Sequence, residues 1–293
     1  MARVRRSAGA AIFDFLTVLL FLLLSWIFLY PLLIMISLSL SDPAVMGGDT
    51  AGLLPVGFSL FSYRALLEGS SILRYYRNTI MYVVLGTFFM LSLTSLLAYA
   101  LMHRRFSGRR PITIILLVTM FFSGGLVPLY LLVLKLGLYN TIWPIVIPGS
   151  VGAWNVIIFR TFFMQLPDSL RESAEIDGAG HLTVLLRIVL PLSKALLATF
   201  TLFTAVAYWN SWFDAVIFLR DRALYPIQVF LRSMLVEFDP VSYNSLPEEM
   251  RRRVVPRQMN AAALIITILP ILCVYPFLQR YFAKGVLVGS LKG

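Results

Sequence analysis

Long apolar runs alternate with short polar ones along this chain. Six runs reach the roughly 20 residues that a helix needs to cross a hydrocarbon core: residues 13–37, 80–102, 111–134, 141–166, 192–219 and 259–278. The pattern predicts an all-α integral membrane protein with six transmembrane helices, and an even number puts both termini on one side. The most structured polar stretch, 166–191, lies between the fourth and fifth runs. Pro167 ends the fourth span because proline cannot continue the hydrogen-bond ladder. Ser169 and Glu172 stand at capping-box spacing and predict a short helix to about Ile176. Asp177-Gly178 breaks that helix, since glycine takes the left-handed conformation readily. A second helix is predicted from about His181, with Leu182, Leu185, Leu186 and Val189 on its apolar side. Pro191 stands where the fifth span begins, at a helix start that needs no N–H from it. The segment reads as a helix-turn-helix projecting from the membrane. Physics alone suits a solvated connecting loop equally well.

Composition strengthens the membrane reading. The 293 residues are 59% hydrophobic and only 13% charged, against about 25% charged in soluble domains. The net charge of +11 is assigned to membrane flanks and anionic lipid head groups, with no nucleic acid implied. Arg3, Arg5 and Arg6 precede an apolar run too long for a signal-peptide core, so it reads as a retained signal anchor. The basic loop 103–110 and the uncharged loop 137–140 favour both termini inside. Seven arginines in 220–257 count the other way. The organisation expected is a basic segment and first span over 1–40, then an external loop over 41–74 with a short helix near 59–67. A core of five spans follows over 75–281, including a second external loop over 220–257, and the tail is 282–293. The amphipathic stretch 227–235 is expected on the membrane surface or against a neighbouring subunit.

Polar groups inside spans are the candidates for a substrate pathway. Trp209, Asn210, Trp212 and Asp214 fall in the outer half of the fifth span, with Trp154 and Asn155 in the fourth. Aromatic faces beside amide and carboxylate groups suit sugars, and an interfacial aromatic belt accounts for the same residues. Arg251, Arg252, Arg253 and Arg257 are either an anchor for lipid phosphates or a patch that steers an acidic substrate or docking protein. Gly124-Gly125 and Pro128 are read as aids to close packing and a kink. Cys273 reads as a packing residue. With His103 and His181 as the only histidines, both read as solvated, no metal cluster is expected. No G-x-x-x-x-G-K-[ST] phosphate loop occurs, so the chain reads as a transport component driven by a partner and not as an enzyme. A stand-alone secondary transporter would need mid-membrane coupling charges and paired broken helices. Asp214 and Arg160 lie nearer opposite ends and give that alternative little support.

Identities within 166–191 go further than its physics. Glu172-Ser173-Ala174, Asp177-Gly178-Ala179 and Ile188-Val189-Leu190-Pro191 resemble the EAA loop of ABC importer membrane subunits, departing from it at Ser173. Phe121-Phe122-Ser123-Gly124-Gly125, the run Trp209 to Asp214, and Tyr281-Phe282-Ala283-Lys284-Gly285 are similar to carbohydrate-importer permeases. The subgroup is the one serving oligosaccharides and polysaccharides, down to alginate importers. The resemblance implies the type I importer permease (MetI-like) fold in the bacterial cytoplasmic membrane, with cytoplasmic termini and tail. It implies a second permease, two cytoplasmic ATPase subunits carrying ATP and Mg, and an extracytoplasmic solute-binding protein. Residues 166–191 would be the coupling segment. Glu172 would anchor it to an ATPase, Ser173 and Ala174 would allow close contact, and Gly178 would set the turn between Asp177 and Ala179.

Overall fold

The computed structural model describes residues 8–46, 52–69, 72–237 and 256–290. Among them the chain is helical, and the sole pairing of extended backbone is an isolated bridge between Ser41 and Phe58. The helices are α1 (Ala8–Ser39), α2 (Pro43–Met46), α3 (Phe61–Gly69), α4 (Ile72–Met102), α5 (Arg109–Phe121), α6 (Leu126–Lys135), α7 (Trp143–Val146), α8 (Ala153–Phe163), α9 (Asp168–Ile176), α10 (His181–Val184), α11 (Leu190–Leu192), α12 (Lys194–Trp209), α13 (Phe213–Phe218), α14 (Ile227–Glu237) and α15 (Pro256–Ser290).

The chain divides into two compact units. One comprises residues 1–70 and 231–268, the other 71–230 and 269–293. In the first, α1 exposes apolar side chains along most of its length, as a lipid-facing helix does. Leu38, Met46 and Ala261 form its small core. Ser39 and Tyr63 share a 2.8 Å hydrogen bond that ties α3 to the end of α1. The helix expected near 59–67 is therefore present as α3, and α2 precedes it.

The second unit is organised around α4, which packs along both α12 and α8. Its first core joins Met90, Ala98, Tyr99 and Leu101 of α4 to Val156, Phe159 and Phe163 of α8, to Leu196 and Phe200 of α12, and to Val184, Leu185 and Val189. Phe159 meets Phe200 edge-on at 4.9 Å between ring centroids. A second cluster joins Tyr82, Ile145, Val146, Ala215, Leu219 and Val229. With lipid tails as apolar as the side chains, close van der Waals packing has to hold such helices together. Gly86 provides the closest approach, since a Cβ there would collide with ring carbons of Tyr208.

The sequence pattern and the structure differ in the continuity of the spans. Among the described residues, three helices are long and apolar enough to cross a membrane on their own: Ile12–Ser39, Ile72–Met102 and Arg257–Val274. The third apolar run is interrupted between α5 and α6, where Phe122 is extended and Gly125 takes φ +83°. A Cβ at Gly124 would meet nothing, so this glycine pair produces a break and not the close packing expected of it. The fourth run splits into α7 and α8 around Pro148-Gly149-Ser150 and Gly152. The fifth splits at Asn210–Trp212, before α13. Non-helical backbone at membrane depth is tolerated where it lines a cavity, and two of these breaks do so.

Two further expectations change. The amphipathic stretch 227–235 begins α14, but Ile227, Val229 and Phe230 are buried against their own chain. Phe230 stacks on Tyr75 at 5.5 Å, so the apolar face that pointed to a lipid surface or a neighbour is used internally. Cys273 is exposed on α15 and does not act as packing.

Candidate functional site

Segment 166–191 forms the expected helix-turn-helix with different end chemistry. α9 starts at Asp168 with Pro167 in the cap position, and no side chain caps it. The Ser169/Glu172 capping box does not form, because the helix begins one residue before Ser169 and already includes it. Asp168 instead supplies the negative charge that favours a helix N-terminus. The turn that follows is fully bonded: the Gly178 N–H donates to Glu175 O at 3.1 Å and the Ala179 N–H to Ala174 O at 2.9 Å. This is a Schellman closure, and it requires Gly178 at φ +82°. Ala174 and Ala179 pack together onto the first core. The small side chain at 174 therefore lets α9 approach its own bundle.

The outer face of α9 is left bare. Ile176 is 86% exposed, with Glu172, Ser173 and Asp177 also exposed, whereas Leu170 on the inner flank lines a small pocket with Met102, Phe163 and Leu192. Arg171 bridges Asp168 at 3.0 Å and Glu175 at 3.6 Å, drawing three charges to one edge. A large apolar side chain held in the open on this outer face is a contact point available to a partner.

The helix after the turn is not regular. α10 widens into a π-helical turn over Leu185–Val189, α11 follows, and the chain breaks at Ser193. The axes of His181–Leu192 and Lys194–Trp209 differ by 83°. Pro191 cannot donate to the ladder, and a wide turn ahead of it is a known accommodation. Ser193 Oγ–H donates to Val189 O at 2.7 Å, beside a bond from its own N–H at 3.0 Å. The fifth span thus starts at Lys194, and Pro191 lies inside the bend. The wide turn also rotates the buried face: Val184, Leu185 and Val189 are buried with Ile188 half-buried, whereas Leu182 and Leu186 are exposed.

A second feature is a cavity of about 580 Å³ between the two cores, lined by α8, α12, α13 and the irregular 147–152 stretch. Among the expected pathway residues, Trp154, Asn155 and Asp214 line it, joined by Thr204, Tyr208 and Ser211. Trp209, Asn210 and Trp212 do not. Trp209 is buried against Tyr76 at 6.1 Å, and Asn210 accepts a 3.3 Å bond from Gln228. Trp212 packs on the second core. Because α12 ends at Trp209, the two tryptophans and the aspartate leave the backbone in different directions. Tyr208 was missed by the sequence reading, as no isolated tyrosine in an apolar run signals a lining role; its hydroxyl donates to Val146 O at 3.1 Å. Arg257 is exposed at the start of α15, and Arg251, Arg252 and Arg253 lie outside the described residues.

Of the two histidines expected to be solvated, His181 is exposed and His103 is not. His103, half-buried, meets His181 at 5.3 Å between ring centroids.

An all-helical membrane unit with a projecting helix-turn-helix before its fifth span and a cavity of mixed polar and apolar lining between broken helices is a transport permease. The sequence profile of the family described as "Binding-protein-dependent transport system inner membrane component" matches residues 71–288, and the chain belongs to that family. It is 38% identical to Protein LplC of Bacillus subtilis (strain 168), over 99% of this chain and 98% of that protein. It is 37% identical to the polygalacturonan/rhamnogalacturonan transport system permease protein YtcP of the same strain, over 96% and 99%. A crystal structure of a bacterial ABC transporter involved in the import of the acidic polysaccharide alginate contains a chain that superposes with a TM-score of 0.87 at 31% identity, covering 96% of this chain and all of that one. The fold is accordingly the all-α, type I permease fold, and the chain is a multi-pass inner-membrane component of a transport system.

Proposed function

We propose that this chain is the transport subunit of an ATP-driven importer that moves oligosaccharide or polysaccharide by alternating access. A second permease, two cytoplasmic ATPase subunits that bind ATP and Mg, and an extracytoplasmic solute-binding protein complete the assembly. Both termini and segment 166–191 lie on the cytoplasmic side. The chain itself supplies no phosphate loop and binds no cofactor for hydrolysis. The observation that carries the reading is the bare face of α9 (Glu172, Ser173 and Ile176) joined by a Schellman turn to a helical segment that buries Val184, Leu185 and Val189 in the bundle. A partner seated on that face moves Val184, Leu185 and Val189, which share one core with residues of α4, α8 and α12. Packed helices answer such a push by shifting between discrete arrangements.

The carbohydrate assignment rests on the relatives' substrates and on the cavity, where Trp154 offers an aromatic face among Asn155, Thr204, Tyr208, Ser211 and Asp214. Asp214 is the one charged group among the described lining residues. It favours a sugar presenting hydroxyls at this point. Carriage of an acidic polymer would draw its cations from the second permease or from the external arginines Arg251, Arg252, Arg253 and Arg257.

Replacement of Gly178 tests the coupling role. Gly178→Asp puts a side chain at φ +82° and adds charge to the turn, and Ala174→Leu wedges α9 away from its bundle. In reconstituted complexes, both variants are expected to insert and assemble yet lose ATP-driven uptake. Retained uptake by a properly assembled complex overturns the coupling role.

A further inference from the structure

The end of α4 and the coupling turn bring together three groups that neither the fold nor the transport reading uses. His103 follows α4 directly. Its Nδ1 lies 2.8 Å from the Tyr99 carbonyl oxygen, which fixes that nitrogen as the N–H donor. Nε2 is then the lone-pair nitrogen, and it is out of solvent with no hydrogen-bond partner. The edge of Tyr99, 4.7 Å away between centroids, holds the ring. A histidine that donates one N–H to a carbonyl and presents the other nitrogen unbonded is oriented as metal-binding histidines are. His181, the first residue of α10, and Glu175, in the last turn of α9, stand in front of it. One ligand atom from each of the three lies within 4.8 Å of the others.

We propose that His103, Glu175 and His181 form a site for a divalent transition-metal ion of the zinc class. Two imidazoles and one carboxylate suit zinc, nickel or cobalt better than magnesium or calcium, which prefer oxygen donors. Around a tetrahedral zinc with bonds of about 2.0–2.2 Å, ligand atoms lie about 3.3–3.5 Å apart. Closing from 4.8 Å therefore requires a shift of about 1 Å, which the exposed Glu175 and His181 side chains make by rotation. Water completes the coordination. Arg171, 3.6 Å from Glu175, competes with the ion for that carboxylate. A bound ion ties together the end of α4, the last turn of α9 and the start of α10, clamping the turn on which coupling is proposed to depend. The site itself stands whether or not that coupling reading holds.

The test is a titration of the untagged full-length chain, purified in detergent, with Zn²⁺ and with Co²⁺. One ion per chain is expected, with the visible Co²⁺ bands of a nitrogen- and oxygen-ligated site. Losing a group that merely orients a ligand costs about 10–100-fold in metal affinity, so His181→Ala is expected to cost at least that much. Glu175→Gln weakens binding as well, and Arg171→Gln strengthens it by releasing the carboxylate. His181 and Glu175 are exposed, so their replacement leaves the folded bundle available for measurement. Absence of stoichiometric binding, or unchanged affinity in both His181→Ala and Glu175→Gln, overturns the proposal.

Discussion

The chain between α13 and α14 and the segment from α9 to Ser193 both rest against α4, at its opposite ends, and different forces hold them. At the first end the contacts are directional. Asn78 Nδ2 donates to Ala223 O at 2.7 Å and Tyr225 O at 3.0 Å, and the Tyr82 hydroxyl donates to Leu224 O at 2.8 Å. Thr79 Oγ1 accepts the Ile227 N–H at 2.8 Å. Asn140 Oδ1 takes the N–H groups of Arg220 and Asp221 at 2.9 and 2.8 Å. Each bond specifies one backbone position, so this connection has one geometry. At the other end Ala174, Ala179, Val184, Leu185 and Val189 contribute apolar contact, and the ion pairs lie on the surface. Apolar contacts are non-directional and persist while surfaces slide by a fraction of a side chain. The first connection is built as a fixed wall, and the second suits the moving part that the proposed coupling requires.

The largest loss in stability should come from the helix that both connections share. Gly86→Ala drives a Cβ into the Tyr208 ring, and overpacking of a tight contact costs about 1–3 kcal/mol. The detergent-solubilised complex should melt well below the parent. An unchanged melting temperature would mean that α4 and α12 part easily. Next comes Asn78→Ala, which strands the Ala223 and Tyr225 carbonyls; a buried group left unpaired costs about 1–3 kcal/mol. Arg171→Ala at the opposite end removes two ion pairs to exposed carboxylates, each worth about 0–1 kcal/mol, and should move the melting curve least. Equal losses for Asn78→Ala and Arg171→Ala would erase the contrast between wall and moving part.

Much of this was legible in the chain. Apolar runs set the positions of the membrane helices, because length and hydropathy are all that a crossing demands. The turn at Asp177-Gly178 was legible because glycine is so strongly favoured at a positive φ. The breaks inside the spans were partly written too. Pro148-Gly149-Ser150 and Gly152 are helix breakers, but the apolar run around them hides the signal in any 20-residue window. The π-helical turn leaves no such trace, since Leu185-Leu186-Arg187-Ile188-Val189 is compatible with an ordinary helix until Pro191 and the core select the wider one. For the cavity, residue type was a poor guide. Trp209 and Trp212 looked like sugar platforms, yet packing buries one and half-buries the other, while Tyr208 faces the space. Proximity of His103 to His181 depends on how α10 folds back to α4, which spacing along the chain does not encode.

The bend at Ser193 has a mechanical consequence. At 83° it is almost a right angle, so a displacement along the axis of His181–Leu192 reaches α12 sideways and not end-on. α12 has 16 residues and at 1.5 Å per residue is about 24 Å long. A tilt of about 10° about the bend would swing its far end by about 4 Å, roughly the width of a methylene chain. That far end carries Tyr208 into the cavity wall. If the segment transmits coupling as proposed, the elbow is a bell crank: it exchanges a short thrust at α9 for a broad sweep at the far end of α12.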